Sequence, residues 1–291
     1  EPGSTGKVIT VAAAMEEGLI TPETVFSIPY SMKVSDGVFR DHEKHPTQRL
    51  TTTGLLAVSS NTGSIKIGQK LGKDNLYKYL TKFGIGQSTN SKLPGESAGI
   101  LHPVKNWSGT SLPTISFGQG YSLTAMQATS VFATIANNGV RVKPSILAGV
   151  VNESGKYTPA AANESTRVLS EQTAINMRAM MENVVSKNGT APSAAINGYR
   201  VAGKTGTAER YNTACKCYSG YTASFIGFAP ADQPKYVVSV TIQDPKGMHW
   251  GGVLAGPVFK KVMGFVLQNQ RISPTQETKT FYSLTEAALK Q

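Results

Sequence analysis

The 291-residue chain is 40% hydrophobic and 16% charged, apolar enough to bury a full core and too weakly charged for a disordered polymer. Lysine and arginine outnumber the acids 29 to 18, a net +11 that suits an anionic partner: nucleic acid, an acidic membrane face or an acidic wall polymer. No basic run interleaved with aromatics, helix-turn-helix pattern or zinc spacing accompanies that charge, so it reads as a solvated surface with no nucleic-acid partner.

Pro2-Gly3 followed by the apolar run from Ser4 to Met15 predicts a turn opening a helix, with Gly18 at its end. Residues 21–50 carry Pro22, Pro29, Gly37 and Pro46 among mixed charges and read as loop with short strands. From Thr53 to about Leu71 the helical period is broken by Ser59-Ser60-Asn61-Thr62-Gly63. A helix from Asn75 to Phe83 is expected to end at Gly84, and residues 87–118 read as ordered loop. Thr124–Asn137 and Ser170–Val185 read as helices separated by an exposed excursion over 150–166. The period then changes to two, with strands over 199–207, 223–229 and 236–242, before a last helix over 255–268.

No run of about 18 apolar residues is present, so no span of a membrane is expected within the chain. It opens on Glu1-Pro2-Gly3-Ser4 without an initiator Met or signal peptide and is read as a fragment. Cys215 and Cys217 lie one residue apart. They read either as two loop thiols or, in an oxidising compartment, as a small-ring disulfide.

Three short polar motifs carry chemistry: Ser4-x-x-Lys7, Ser59-x-Asn61 and Lys204-Thr205-Gly206. Singly each is weak, and Ser88-Thr89-Asn90 and Ser186-Lys187-Asn188 also fit the second pattern. Their order and setting sharpen the signal, since one opens a helix, one interrupts a helical stretch and one lies in a strand. Residues i and i+3 share a helix face, so the Lys7 amine is within reach of the Ser4 hydroxyl. A helix N-terminus favours a developing oxyanion. A base lysine must lose its charge part of the time, which burial and a nearby Lys204 would promote. Glycine at position 206 would let a ligand backbone approach the strand closely. The bland readings are a capping serine, a local kink and an ordinary strand end.

In this combination the chain resembles the serine D,D-peptidase and β-lactamase superfamily, and within it the class B penicillin-binding proteins. The likeness spans residues 1–270. It rests on Glu1-Pro2-Gly3-Ser4-Thr5-Gly6-Lys7, Ser59-Ser60-Asn61-Thr62-Gly63, Leu93-Pro94-Gly95-Glu96, Gly118-Gln119-Gly120, Val201-Ala202-Gly203-Lys204-Thr205-Gly206-Thr207 and Gly251-Gly252. The resemblance implies an α/β (α+β) fold, a mostly antiparallel five-stranded sheet flanked by helices, with its first strands upstream of this chain. It implies a transpeptidase domain over 1–270, N-terminally incomplete, and a polar tail over 271–291.

The implied activity cross-links peptidoglycan stem peptides ending in D-Ala-D-Ala, through a Ser4 acyl-enzyme that β-lactam antibiotics also form. In that scheme Ser4 is the nucleophile, Lys7 its base and Ser59 a proton shuttle. Asn61 holds the acyl donor, and Lys204 tunes the field. Thr205, Gly206 and Thr207 bind the terminal carboxylate edge, and the backbone N–H groups of Ser4 and Thr207 form the oxyanion hole. No metal or cofactor is implied. Implied partners are membrane-bound cell-wall synthesis proteins, at the outer face of the bacterial cytoplasmic membrane, with the anchoring segment absent from this chain. The rivals are a β-lactamase and a β-lactam sensor. A class A lactamase would need a Glu-x-x-Leu-Asn context, and none lies between Ser59 and Lys204.

Overall fold

The computed structural model describes residues 1–91, 93–212, 214–275 and 282–290. Gly3, at φ +56°, turns the chain into a 3-10 turn over Gly3–Gly6, which runs directly into α1 (Lys7–Glu16). Every α1 residue from Lys7 to Met15 is buried, as befits a helix that is apolar on all sides and sits at the centre of the molecule.

Four short strands follow, β1 (Val25–Ile28), β2 (Ser31–Val34), β3 (Gly37–Arg40) and β4 (Gln48–Thr51); β1 pairs with β4 and β2 with β3. Then come α2 (Thr52–Ala57), α3 (Asn61–Leu71) and α4 (Lys73–Lys82). Thr51 caps α2 by accepting from the Gly54 amide, and Ser60 caps α3 by accepting from Gly63. Between them Ser59 takes φ +64°, which ends one helix and re-aims the next.

Within 87–118, read from the sequence as loop, a helix α5 (Ser111–Ser116) forms. Its Ser, Thr and Pro content disguised it. Pro113 falls in the first turn, where no N–H is needed, and the Thr114 and Ser116 hydroxyls donate back to the carbonyls of Thr110 and Leu112. Helix α6 (Ala125–Ala136) opens on a reciprocal capping box between Thr124 and Gln127. Short strands β5 (Val140–Val142), β6 (Gly149–Val151), β7 (Tyr157–Pro159) and β8 (Ser165–Arg167) follow, β5 ahead of the excursion expected over 150–166 and the other three on or across it. Helix α7 (Glu171–Val185) is capped by Ser170.

The main sheet is formed by β9 (Ala202–Asn212), β10 (Cys217–Ala229) and β11 (Tyr236–Gln243), antiparallel in the order β11-β10-β9. These are the three strands read from the sequence, and among the described residues β11 pairs only with β10. β9 and β10 both extend further than expected, as a hairpin arm that projects past the core. Central strand β10 is buried on both faces. Ile226 and Phe228 enter the larger core with α1, α4, α6 and α7, while Phe225 and Ala229 enter a second core with α8 (Gly251–Asn269). There Phe225 and Phe259 meet edge to face at 4.7 Å.

Part of the expected polar tail, residues 276–281 and 291, lies outside the described residues. Residues 282–290 pack back on the body. Thr51 donates its amide to Leu284 O and its hydroxyl to Ser283 O, at 3.1 and 2.6 Å. Arg49 pairs with Glu286 of the short helix α9 (Glu286–Leu289) at 2.8 Å.

Candidate active site

Ser4 lies in the 3-10 turn ahead of α1, where side chains at i and i+3 eclipse, so Lys7 stands directly over it. Ser4 lines a cleft of about 500 Å³ together with Ser59, Thr205 and Thr207. Among the described residues no hydrogen bond engages the Ser4 hydroxyl. The Lys7 amine, fully buried, turns instead to the second motif. It donates to Ser59 O at 2.5 Å, to Asn61 Oδ1 at 2.7 Å and to Ser59 Oγ at 3.3 Å.

The second motif owes its shape to Asp41, a residue the sequence reading did not single out. Its carboxylate accepts from the amides of Asn61 and Thr62 at 2.5 and 2.9 Å and from the Ser60 hydroxyl at 2.7 Å. A negative group there satisfies orphan donors at the start of α3 and complements the helix dipole. Asn61 also donates to Arg40 O at 2.8 Å, so both ends of its amide are engaged within the protein.

From the third motif, Lys204 reaches Ser59 Oγ at 2.9 Å, so one hydroxyl bridges two buried amines. Thr205 and Thr207 face the cleft, Thr205 sharing a 2.8 Å hydroxyl contact with Thr190 and Thr207 Oγ1 accepting from the Gly251 amide at 3.2 Å. Strand alternation turns Gly206 to the other face. A Cβ there would lie 2.4 Å from Ser224 Oγ and 2.9 Å from Pro2 O. On that face the close approach that this glycine permits is made by the turn leading to Ser4.

Burial drives the electrostatics. Desolvation lowers Lys7 to about 7 against the opposing pull of Asp41, and it lowers Lys204 well below the ordinary lysine value, with Lys7 adding repulsion. His42, on the cleft wall, is held to about 4 by desolvation and by both lysines. The site thus offers an unbonded hydroxyl, an amine that sheds its proton near neutrality, a hydroxyl relay and a strand edge bearing two threonines. That is the inventory of acyl transfer through serine.

The structure brings Ser4, Lys7, Ser59, Asn61, Lys204, Thr205 and Thr207 around one cleft; Asp41, His42, Thr190 and Trp250 join them without having been read from the sequence. Cys215 and Cys217 form a disulfide at the β9–β10 tip. A second cavity of about 600 Å³, between the hairpin and residues 120–128, lies beside Pro2 and Thr5 but contains none of the three motifs' chemical groups.

The family model described as the penicillin binding protein transpeptidase domain matches residues 1–264. The chain belongs to this family. Penicillin-binding protein PbpB of Mycolicibacterium smegmatis is 40% identical to this chain over 282 residues, 94% of this chain and 44% of the relative. Peptidoglycan D,D-transpeptidase FtsI of Escherichia coli is 35% identical over 276 residues, 94% of this chain and 45% of its own length. The chain therefore spans less than half the length of these relatives. Penicillin binding protein 3 of Mycobacterium tuberculosis, in complex with ampicillin, superimposes with a TM-score of 0.93 at 36% identity, covering 98% of this chain and 65% of that one. The apo structure of the transpeptidase domain from Burkholderia pseudomallei penicillin-binding protein 3 gives 0.84 at 33% identity, over 95% and 81%.

Proposed function

We propose that this domain is a peptidoglycan D,D-transpeptidase working through an ester on Ser4. The observation that carries the reading is the Ser59 hydroxyl, held between Lys7 and Lys204 beside an unbonded Ser4. Ser4 Oγ attacks the penultimate D-Ala carbonyl and Lys7 takes its proton; the backbone N–H groups of Ser4 and Thr207 receive the oxyanion. As the C–N bond breaks, Ser59 passes a proton to the departing D-Ala nitrogen and takes the one held by Lys7. An amine of a neighbouring stem then attacks the ester, and Ser4 recovers its proton. Lys204, with the hydroxyls of Thr205 and Thr207, receives the terminal carboxylate. Asn61 reaches the donor amide by exchanging its contact with Lys7 or Arg40.

β-Lactams would acylate Ser4 by the same attack and remain there, since no glutamate in a Glu-x-x-Leu-Asn context is available to activate a deacylating water. In the whole protein we place the domain at the outer face of the bacterial cytoplasmic membrane, anchored by another segment, with membrane-bound wall-synthesis proteins as partners in division. The test is a mass spectrum of the peptides after treatment with penicillin. The adduct is expected on the peptide holding Ser4, and an adduct elsewhere would overturn the assignment.

A further inference from the structure

Lys7 and Lys204 are fully buried behind the cleft with their proton affinity lowered, so their repulsion of an incoming cation is weakened. The cleft wall is suited to receive one. His42, Glu43 and Trp250 line the same cleft as Ser4. The Trp250 indole is 40% exposed and meets the His42 ring edge to face at 5.3 Å. Among the described residues no hydrogen bond engages the His42 imidazole or the Glu43 carboxylate, whereas neighbouring His45 is tied to Asp41 at 3.1 Å.

We propose that His42, Glu43 and Trp250 form the docking subsite for the acceptor strand's primary ammonium, which passes a proton to Lys7 and attacks the Ser4 ester as the free amine. The proposal rests on the transpeptidase reading above and names the ligand class of its second half-reaction. Each residue supplies a different attraction: the carboxylate its charge, the imidazole a lone pair, the indole its electron-rich face. Held to about 4, the imidazole is neutral at pH 7 and can accept a hydrogen bond. The other charged or titratable groups around it are the buried Lys7 and Lys204, Asp41, Lys44 and His45 on its own loop, and His249 against Trp250. Val58 and Val253, both exposed on the cleft wall, offer the apolar contact that a chain of methylenes below an amine requires. An amine on a flexible alkyl stem therefore fits better than a rigid or anionic acceptor.

The experiment loads Ser4 from a D-alanyl thiolester donor and lets the acyl-enzyme choose between Nα-acetyl-lysine and methanol, with the products weighed by mass spectrometry. Glu43→Gln and Trp250→Leu are each expected to lower the amine-to-methanol product ratio at least about fivefold, equivalent to about 1 kcal/mol of lost cation binding. The ratio counts only protein that has formed the ester, so a poorly folded variant does not distort it. An unchanged ratio in both variants would overturn the subsite while leaving Ser4 chemistry intact. A wild-type protein that takes no acyl group on Ser4 would sink the underlying reading and the subsite with it.

Discussion

Asp41 holds Asn61 by its backbone: the carboxylate oxygen lies 2.5 Å from the Asn61 amide, across twenty residues of sequence. The same carboxylate raises the Lys7 proton affinity, in opposition to burial. Asp41→Asn keeps the shape and removes the charge, so Lys7 should lose its proton at lower pH. The acid limb of penicillin acylation is expected to move below its wild-type position. Asp41→Ala, which also strips the α3 cap, should in addition destabilise the fold by about 1–3 kcal/mol. Stopped-flow acylation across pH and thermal unfolding check the two effects; a pH limb that stays in place would remove Asp41 from the electrostatics.

Lys7 itself sets the pH dependence. Its value of about 7, down from 10.5, means that the neutral, proton-accepting form grows as pH rises through 7. Acylation should therefore climb between about pH 6 and pH 8 and then level. Lys7→Ala should slow it by at least about 10², the usual cost of a lost base. Lys7→Arg, which cannot shed its proton, should do no better than alanine. Rates of fluorescent penicillin labelling decide this, and Ser4→Ala should carry no label.

Gly206 is tested by one methyl group. A Cβ there would lie 2.9 Å from Pro2 O, so Gly206→Ala must push the Ser4 turn away from β9. The expected cost is about 1–3 kcal/mol of overpacking, seen as a lowered melting temperature, together with slower acylation. Normal stability with normal acylation would show that the turn moves freely.

Thr205 shares its hydroxyl with Thr190 and Lys204, at 2.8 and 3.2 Å. Thr205→Val removes one partner of a ligand carboxylate without changing the nucleophile. The saturation constant for acylation should rise about tenfold while the limiting rate changes little, the loss of roughly one hydrogen bond to a charged group. A fall confined to the limiting rate would assign Thr205 to chemistry.

The three motifs were legible because each is contiguous, and a turn of helix or a pleated strand fixes where its side chains point. Ser59 could be read as a break because its polar run interrupts an apolar period, and its positive φ is the backbone form of that break. Asp41 could not, since its partners lie twenty residues on and only the folded loop unites them. Trp250 and Thr190 were hidden for the same reason. Helix α5 escaped because its polar side chains bond its own backbone, and the outer halves of β9 and β10 because no buried face patterns them. Gly206 was recognised as a place of close approach, but the partner that the fold supplies is Pro2.

The family match closes at residue 264, yet Thr51 is fastened to Ser283 and Leu284, well past that border. Thr51 starts the short helix whose far end delivers Ser59. Anyone shortening this polypeptide at the matched border would remove both carbonyls that hold Thr51, and a slower trimmed protein could then reflect lost anchorage behind the relay serine rather than altered chemistry.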